Sequence, residues 1–212
     1  MSTQVNESAH APTHDRPAVV ETNPGSFIAD PGPLGLAGFA MTTFILSVFN
    51  AHILDASLEA VVLPVALFYG GLAQLLAGMW EFKKNNTFGA LAFTSYGAFW
   101  LSFAALVKFI AAGLPPATAH KAVGLYLLAW TIFTLYMTIA SARTSGAVFG
   151  VFIILSLTFI FLTIGELGSN TSMSKVGGYL GLLTALAAWY ASAAGVTNAT
   201  WKRTVLPTWP RA

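Results

Sequence analysis

Thr42, Thr43, Asn50, Gln74, Thr94 and Ser95 set hydroxyls and amides inside stretches that are otherwise apolar. These groups carry no formal charge, yet each offers both a hydrogen-bond donor and an acceptor. Their chemistry is solvation: they can stand in for part of the water shell of a small polar solute. Contacts of this strength also release, which conduction along a path requires. Each hydroxyl has an ordinary use as well, bonding back to a carbonyl of the preceding helical turn. Thr42 and Thr43 would lie about 100° apart on a helix, so they need not face the same neighbour. Ser102, Thr131, Thr134, Ser156 and Thr158 extend the series into a polar track.

The residues that acid–base, nucleophilic or metal chemistry needs are missing from the same stretches. Cysteine is absent from the chain, which removes disulfides, thiolate catalysis and thiolate metal sites. His52 and His120 fall at stretch ends, and no HExxH, GxSxG or paired internal aspartate occurs. An enzyme is disfavoured, and no cofactor or metal is expected. His10 and His14 lie in a polar segment and read as solvated residues. Lys108 and Glu166 lie near the ends of apolar stretches, where they can reach water. Glu166 is a candidate pH-sensitive gate, with a solvated loop-edge carboxylate as its simpler reading.

The elements that must position these groups follow from composition. The chain is 56% apolar and 8% charged, with a mean hydropathy of +0.69, against about 25% charged residues in soluble domains. Too few charges are present to cover a water-soluble surface, so the lipid bilayer must be the solvent. A net charge of +2 gives no reason to expect nucleic acid as a partner. A helix needs about 20 apolar residues to cross the hydrocarbon core. Six such stretches fall near 34–54, 60–81, 88–112, 119–141, 146–166 and 175–197. The fold class is therefore an all-α integral membrane protein, a six-transmembrane-helix bundle whose short connections join antiparallel neighbours.

Cytoplasmic loops collect Lys and Arg. With both termini cytoplasmic, the inner side holds Arg16, Lys83, Lys84, Arg143, Lys202, Arg203 and Arg211, and the outer side Lys108, Lys121 and Lys175. Trp80, Trp201 and Trp209 then fall at the inner interface as anchors. Residues 1–29 are expected to be a disordered cytoplasmic tail, 30–200 the six-helix transmembrane domain and 201–212 a short cytoplasmic tail. Small residues let membrane helices approach, and Gly146/Gly150, Gly177/Gly181 and Ala73/Ala77 have that spacing. Pro31 and Pro33 favour an extended lead into a helix starting at Leu34 and Gly35, with Asp30 able to cap its exposed amides.

The run DPGPLGL at 30–36 closely resembles the NPAPLGL signature of the acetate uptake transporter family of succinate-acetate permeases. The likeness continues through GFAMTT (38–43), FYGGLAQ (68–74), EFKKNNTFG (81–89), FTSYGAFW (93–100), GLYLLAW and FTLYM (124–137) and RTVLP (203–207). This ordered series covers most of residues 30–207. The resemblance implies six transmembrane helices, a homo-hexameric ring in the cytoplasmic membrane, and one path per protomer for acetate and other small carboxylates such as succinate. It also implies a narrow apolar constriction at Phe39, Tyr96 and Leu157, with the Tyr96 hydroxyl as a donor and the neutral residues above supplying others. Asp30 and Gly32 depart from the Asn and Ala of the signature, which alters the charge of the mouth. From the residues alone, a channel for a neutral solute or ammonia and a non-transporting membrane scaffold remain open alternatives.

Overall fold

The computed structural model describes residues 27–211. The expected tail at 1–29, with His10, His14 and Arg16, lies outside the described residues up to position 26. Among the described residues, six helices are long and apolar enough to cross a membrane, and no strand forms beyond an isolated bridge between Ser145 and Pro210. They are α1 (Gly32–Asn50), α2 (Ala56–Lys83), α3 (Thr87–Gly113), α4 (Pro116–Ser141), α5 (Gly146–Leu167) and α6 (Thr171–Trp201). Each overlaps one of the six apolar stretches read from the sequence. The connections are short, so odd and even helices alternate in direction. The starts of α1, α3 and α5 therefore share one end of the bundle with residues 202–211.

Capping side chains fix where several helices begin. Ser145 Oγ accepts from Val148 N at 3.2 Å, Asn170 Oδ1 from Met173 N at 3.2 Å and Asn86 Oδ1 from Gly89 N at 3.1 Å. Asp55 caps α2 by accepting from Ser57 N at 2.8 Å, and the Ser57 hydrogen bonds hold its carboxyl below the usual range. The start of α1 differs from expectation. The helix begins at Gly32, two residues before Leu34, with Pro31 in the capping position. Asp30 Oδ1 still accepts the Gly32 N–H at 3.2 Å, so the acid satisfies one of the freed amides.

Two kinds of seam hold the helices. Close crossings depend on glycine: a Cβ at Gly38 would come within 2.6 Å of the Tyr69 carbonyl, and one at Gly70 would collide with the Thr42 hydroxyl. At this α1/α2 crossing, Phe68–Ala73 widens into a π-helical turn. Gly178 and Gly181 likewise bring α6 against Ala51, just past the end of α1, and Ser47 of α1, while Gly177 lies against Leu162 of α5. The Gly177/Gly181 pair is thus a seam within the chain. Gly146 instead lies under Trp209, and Gly150 faces open space.

The seam between α3 and α4 is filled by rings. Tyr96, Phe99, Trp130 and Phe133 meet at centroid distances of 5.2–6.1 Å. Residues 202–211 fold back onto the bundle. Gly146 N donates to the Trp209 carbonyl at 2.7 Å and Tyr190 OH to that of Pro207 at 2.7 Å.

Candidate functional site

Two cavities lie in line between the helices. The first, about 460 Å³, opens at the Asp30 end and is lined by Asp30, Pro33, Gln74, Glu81, Tyr96 and Arg143 among others. The second, about 380 Å³, extends to the other end and is lined by residues including Thr43, Asn50, Glu59, Trp100, His120 and Glu166. Phe39 and Leu155 line both. They come from parallel helices at similar depth, seven residues into α1 and nine into α5. The structure therefore places this pair where the cavities adjoin.

Tyr96, nine residues into α3, stands beside them, its ring 5.7 Å from that of Phe39. The hydroxyl has another use than the one expected. Thr134 Oγ1 donates its own proton to the Trp130 carbonyl at 2.8 Å, so Tyr96 OH must donate to Thr134 Oγ1, 2.9 Å away. That bond, with ring contacts to Phe133 and Phe152 at 5.3 and 6.1 Å, locks the ring. The hydroxyl is committed to α4 instead of offering a free donor at the narrow point.

Leu157 does not belong here. It is 42% exposed and lines neither cavity, whereas Leu155 is 3% exposed. Two positions on a helix turn the side chain by about 200°, which puts the residues on opposite faces. The leucine of this helix that faces both cavities is Leu155, not the expected Leu157. Periodicity does not single it out: Ile153, Leu157, Ile160 and Ile164 follow the three-and-four spacing of a helix face as fully as Phe152, Leu155 and Phe159 do.

The polar series divides in the same way. Gln74 lines the first cavity, and Thr43 and Asn50 line the second. Thr42 lines neither; its hydroxyl bonds back to Gly38 O at 2.9 Å and packs on Gly70. Thr94 presses against Gly78, and Ser95 lines neither cavity. Further hydroxyls join helices in pairs: Thr131 with Thr163 at 2.9 Å, Thr138 with Ser156 at 2.7 Å, and Thr158 with Thr184 at 3.1 Å. Much of the expected track is therefore interhelical bonding.

Both mouths carry charge. At the first, Asp30 pairs with Lys84 at 3.0 Å, and Glu81, 2% exposed, accepts from Asn86 Nδ2 at 2.9 Å. Arg143 lines the same cavity, while Pro33 is tied to α6 through Ser192 Oγ, which donates to its carbonyl at 2.7 Å. Gly35 lies under the Phe93 ring, and Leu34 is exposed. At the second mouth, His120 Nδ1 meets Glu166 Oε2 at 2.7 Å, with Glu59 on the same wall. Glu81, Arg143, Glu59, His120 and Trp100 were not singled out as path residues from the sequence. Their positions depend on which face of each helix turns inward, and these stretches are apolar nearly all round.

Comparison with known proteins agrees with this architecture. Residues 15–211 match the GPR1/FUN34/yaaH family. The chain is 42% identical over 177 residues to the ammonia transport outward protein 2 of Saccharomyces cerevisiae, covering 80% of this chain and 62% of that protein. It thus spans less than two thirds of the length of that yeast relative. It is 39% identical over 180 residues to the succinate-acetate/proton symporter SatP of Escherichia coli K12, covering 85% of this chain and 95% of the relative. The solved structure of the bacterial acetate channel SatP superposes with a TM-score of 0.79 at 39% identity, covering 85% of this chain and 99% of that one. With six membrane-capable helices and this kinship, the chain is a multi-pass membrane protein and belongs to the GPR1/FUN34/yaaH family.

Proposed function

We propose that this protein carries acetate and other small carboxylates, succinate among them, across the cytoplasmic membrane through the two cavities, with Phe39, Tyr96 and Leu155 as the constriction. The observation that carries the reading is that two polar-mouthed cavities from opposite ends share Phe39 and Leu155. The names of the symporter and channel relatives support the substrate class and speak for a transporter over an enzyme.

A short carboxylic acid with a pKa near that of a glutamate side chain is less than about 1% neutral at pH 7. The abundant species is the anion, and a bare carboxylate in hydrocarbon costs many kcal/mol. The path must replace its water with donors that also let go. Thr43, Ser47 and Asn50 descend one face of α1 along the second cavity and are suited to this. Phe39 and Leu155 exclude water and bulkier solutes at the narrow point. The Tyr96 ring, fixed by Thr134, sets the width.

The reading includes residues 30–200 as the transport unit and both termini in the cytoplasm. Lys83, Lys84, Arg143, Lys202, Arg203 and Arg211 gather at the Asp30 end, as the positive-inside tendency requires of a cytoplasmic face. It also includes a homo-hexameric ring with one path per protomer. The apolar outer stripe of Leu125, Ile132 and Ile139 on α4 suits either lipid or a neighbouring copy.

A second reading, passage of ammonia, has support in the name of the yeast relative. Reconstitution into proteoliposomes separates the two. Uptake of labelled acetate that responds to an imposed voltage or proton gradient is expected. Ammonia flux with no carboxylate uptake would favour the second reading.

A further inference from the structure

Threonines in this bundle habitually spend their hydroxyl proton on the preceding turn. Thr42, Thr131, Thr134, Thr138, Thr158, Thr184 and Thr200 each donate to the carbonyl four residues back at 2.8–2.9 Å. Thr43 does not. It is 6% exposed, lines the second cavity, and its Oγ1 finds no hydrogen-bond partner among the described residues. The indole Nε1 of Trp100 is in the same condition: the side chain is 2% exposed, lines the same cavity, and its N–H is unclaimed. Leaving a buried donor unpaired is unfavourable by an amount comparable to a lost hydrogen bond.

The two donors stand at one level. Thr43 is four residues beyond Phe39 on α1, and Trp100 four beyond Tyr96 on α3, a rise of about 6 Å in each case. α1 and α3 run in the same direction, so both groups sit one turn past the constriction on the same side. Glu166 is eleven residues beyond Leu155 on α5, about 16 Å along the axis, which keeps its charge at the outer mouth. Thr158 lines this part of the wall too, but its hydroxyl is engaged with Ile154 O and Thr184. The level is poor in fixed charge and supplied with unspent donors.

An indole N–H only donates, and a threonine hydroxyl can turn its proton towards an acceptor. A ligand matching both presents acceptor oxygens, and an ionised carboxylate has nothing but acceptors. We propose that Trp100 Nε1–H and Thr43 Oγ1–H form a carboxylate-binding half-site just beyond the constriction, selecting anions over neutral solutes of the same shape. This rests on the carboxylate-transport reading. It adds Trp100, a residue with no part in the constriction, as a specificity determinant.

The test uses Trp100→Phe and Thr43→Val, which delete a donor while keeping the shape apolar, and Thr43→Ser, which retains the hydroxyl. Labelled acetate uptake into proteoliposomes is measured against concentration, with acetamide as the neutral isostere. Each deletion is expected to raise the half-saturating acetate concentration about tenfold or more, the scale of a hydrogen bond to a charged group. Acetamide flux should not change, and Thr43→Ser should stay near wild type. Wild-type half-saturation in both deletion variants would overturn the half-site and assign the donors to trapped water, as would equal losses for acetate and acetamide. Calorimetric titration of acetate into the detergent-solubilised protein gives an independent reading. A wild type that binds acetate through these donors without passing it would reject transport and keep the half-site. A wild type that passes acetate with unaltered variants would do the reverse.

Discussion

The two cavities are alike in size and differ in how they handle polarity. In the first, charged groups stand at the mouth, where Asp30 is matched by Lys84 and the buried Glu81 is held by Asn86, while Leu36, Phe88, Val151 and Phe152 make a wall whose apolar surface is broken by the buried amide of Gln74. In the second, neutral donors run inward from Asn50 through Ser47 to Thr43 and Trp100, and the charged residues Glu59, His120 and Glu166 stay at the rim. Charge is thus kept at the ends, and the depth is left to groups that bind weakly. On the carboxylate-transport proposal, a fixed cation near Phe39 and Leu155 would hold an anion too long, whereas hydroxyls and an indole would bind it weakly enough to release it.

The largest effect is expected where the cavities meet. Leu155→Ala widens the constriction and should raise lactate uptake relative to acetate by about an order of magnitude, while Leu157→Ala changes the ratio less than about twofold; the geometric basis is the opposite placement of the two side chains. The same Leu155 change removes a buried side chain, so a fall in thermal stability of roughly 2–5 kcal/mol should accompany it. Equal selectivity in the two variants would erase the distinction between the cavities.

At the first mouth, Glu81→Gln keeps a partner for Asn86 but removes a buried negative charge. Succinate uptake should rise several-fold relative to acetate, because a dianion feels that charge twice as strongly. Asp30→Asn should shift the same ratio less, by no more than about threefold, and the shift should shrink in high salt because the Asp30–Lys84 pair is exposed. An equal or larger effect at Asp30 would mean that the mouth is governed from its surface.

The smallest effect is expected at the second rim. His120 Nδ1 and Glu166 Oε2 meet at 2.7 Å on this rim. Glu166→Gln removes a negative charge there and should raise acetate flux by no more than about twofold, with the gain shrinking in high salt. Flux equal to wild type at both low and high salt would remove Glu166 from any gating role.

How much of this was legible in the sequence depends on the physical range of each signal. The six spans were, because apolar length is a local property and each stretch carries it alone. The helix start at Asp30-Pro31 was nearly so, displaced by two residues since Gly32 could already adopt helical geometry. The faces were not. Apolar residues surround these helices, so periodicity gave Leu155 and Leu157 little contrast, and Thr42 and Thr43 look equivalent until Gly70 claims one of them. Family motifs point to Phe39 and Tyr96, whose rings lie 5.7 Å apart, yet the use of the Tyr96 hydroxyl depends on Thr134, 38 residues away. Trp100 carries no signal in the sequence, because a tryptophan in a membrane helix serves mostly as apolar bulk and its unspent N–H is visible only once its neighbours are in place.

The chain has no cysteine, so single thiols can be placed without background. On the proposed function, the two cavities form one path through a constriction made in part by Leu155. In proteoliposomes, Leu155→Cys and Leu157→Cys would each be treated with a small anionic methanethiosulfonate during labelled acetate uptake. Modification at Leu155→Cys is expected to block uptake, with excess acetate slowing the block, while Leu157→Cys continues at its untreated rate. Block at Leu157→Cys with Leu155→Cys unaffected would contradict such a path.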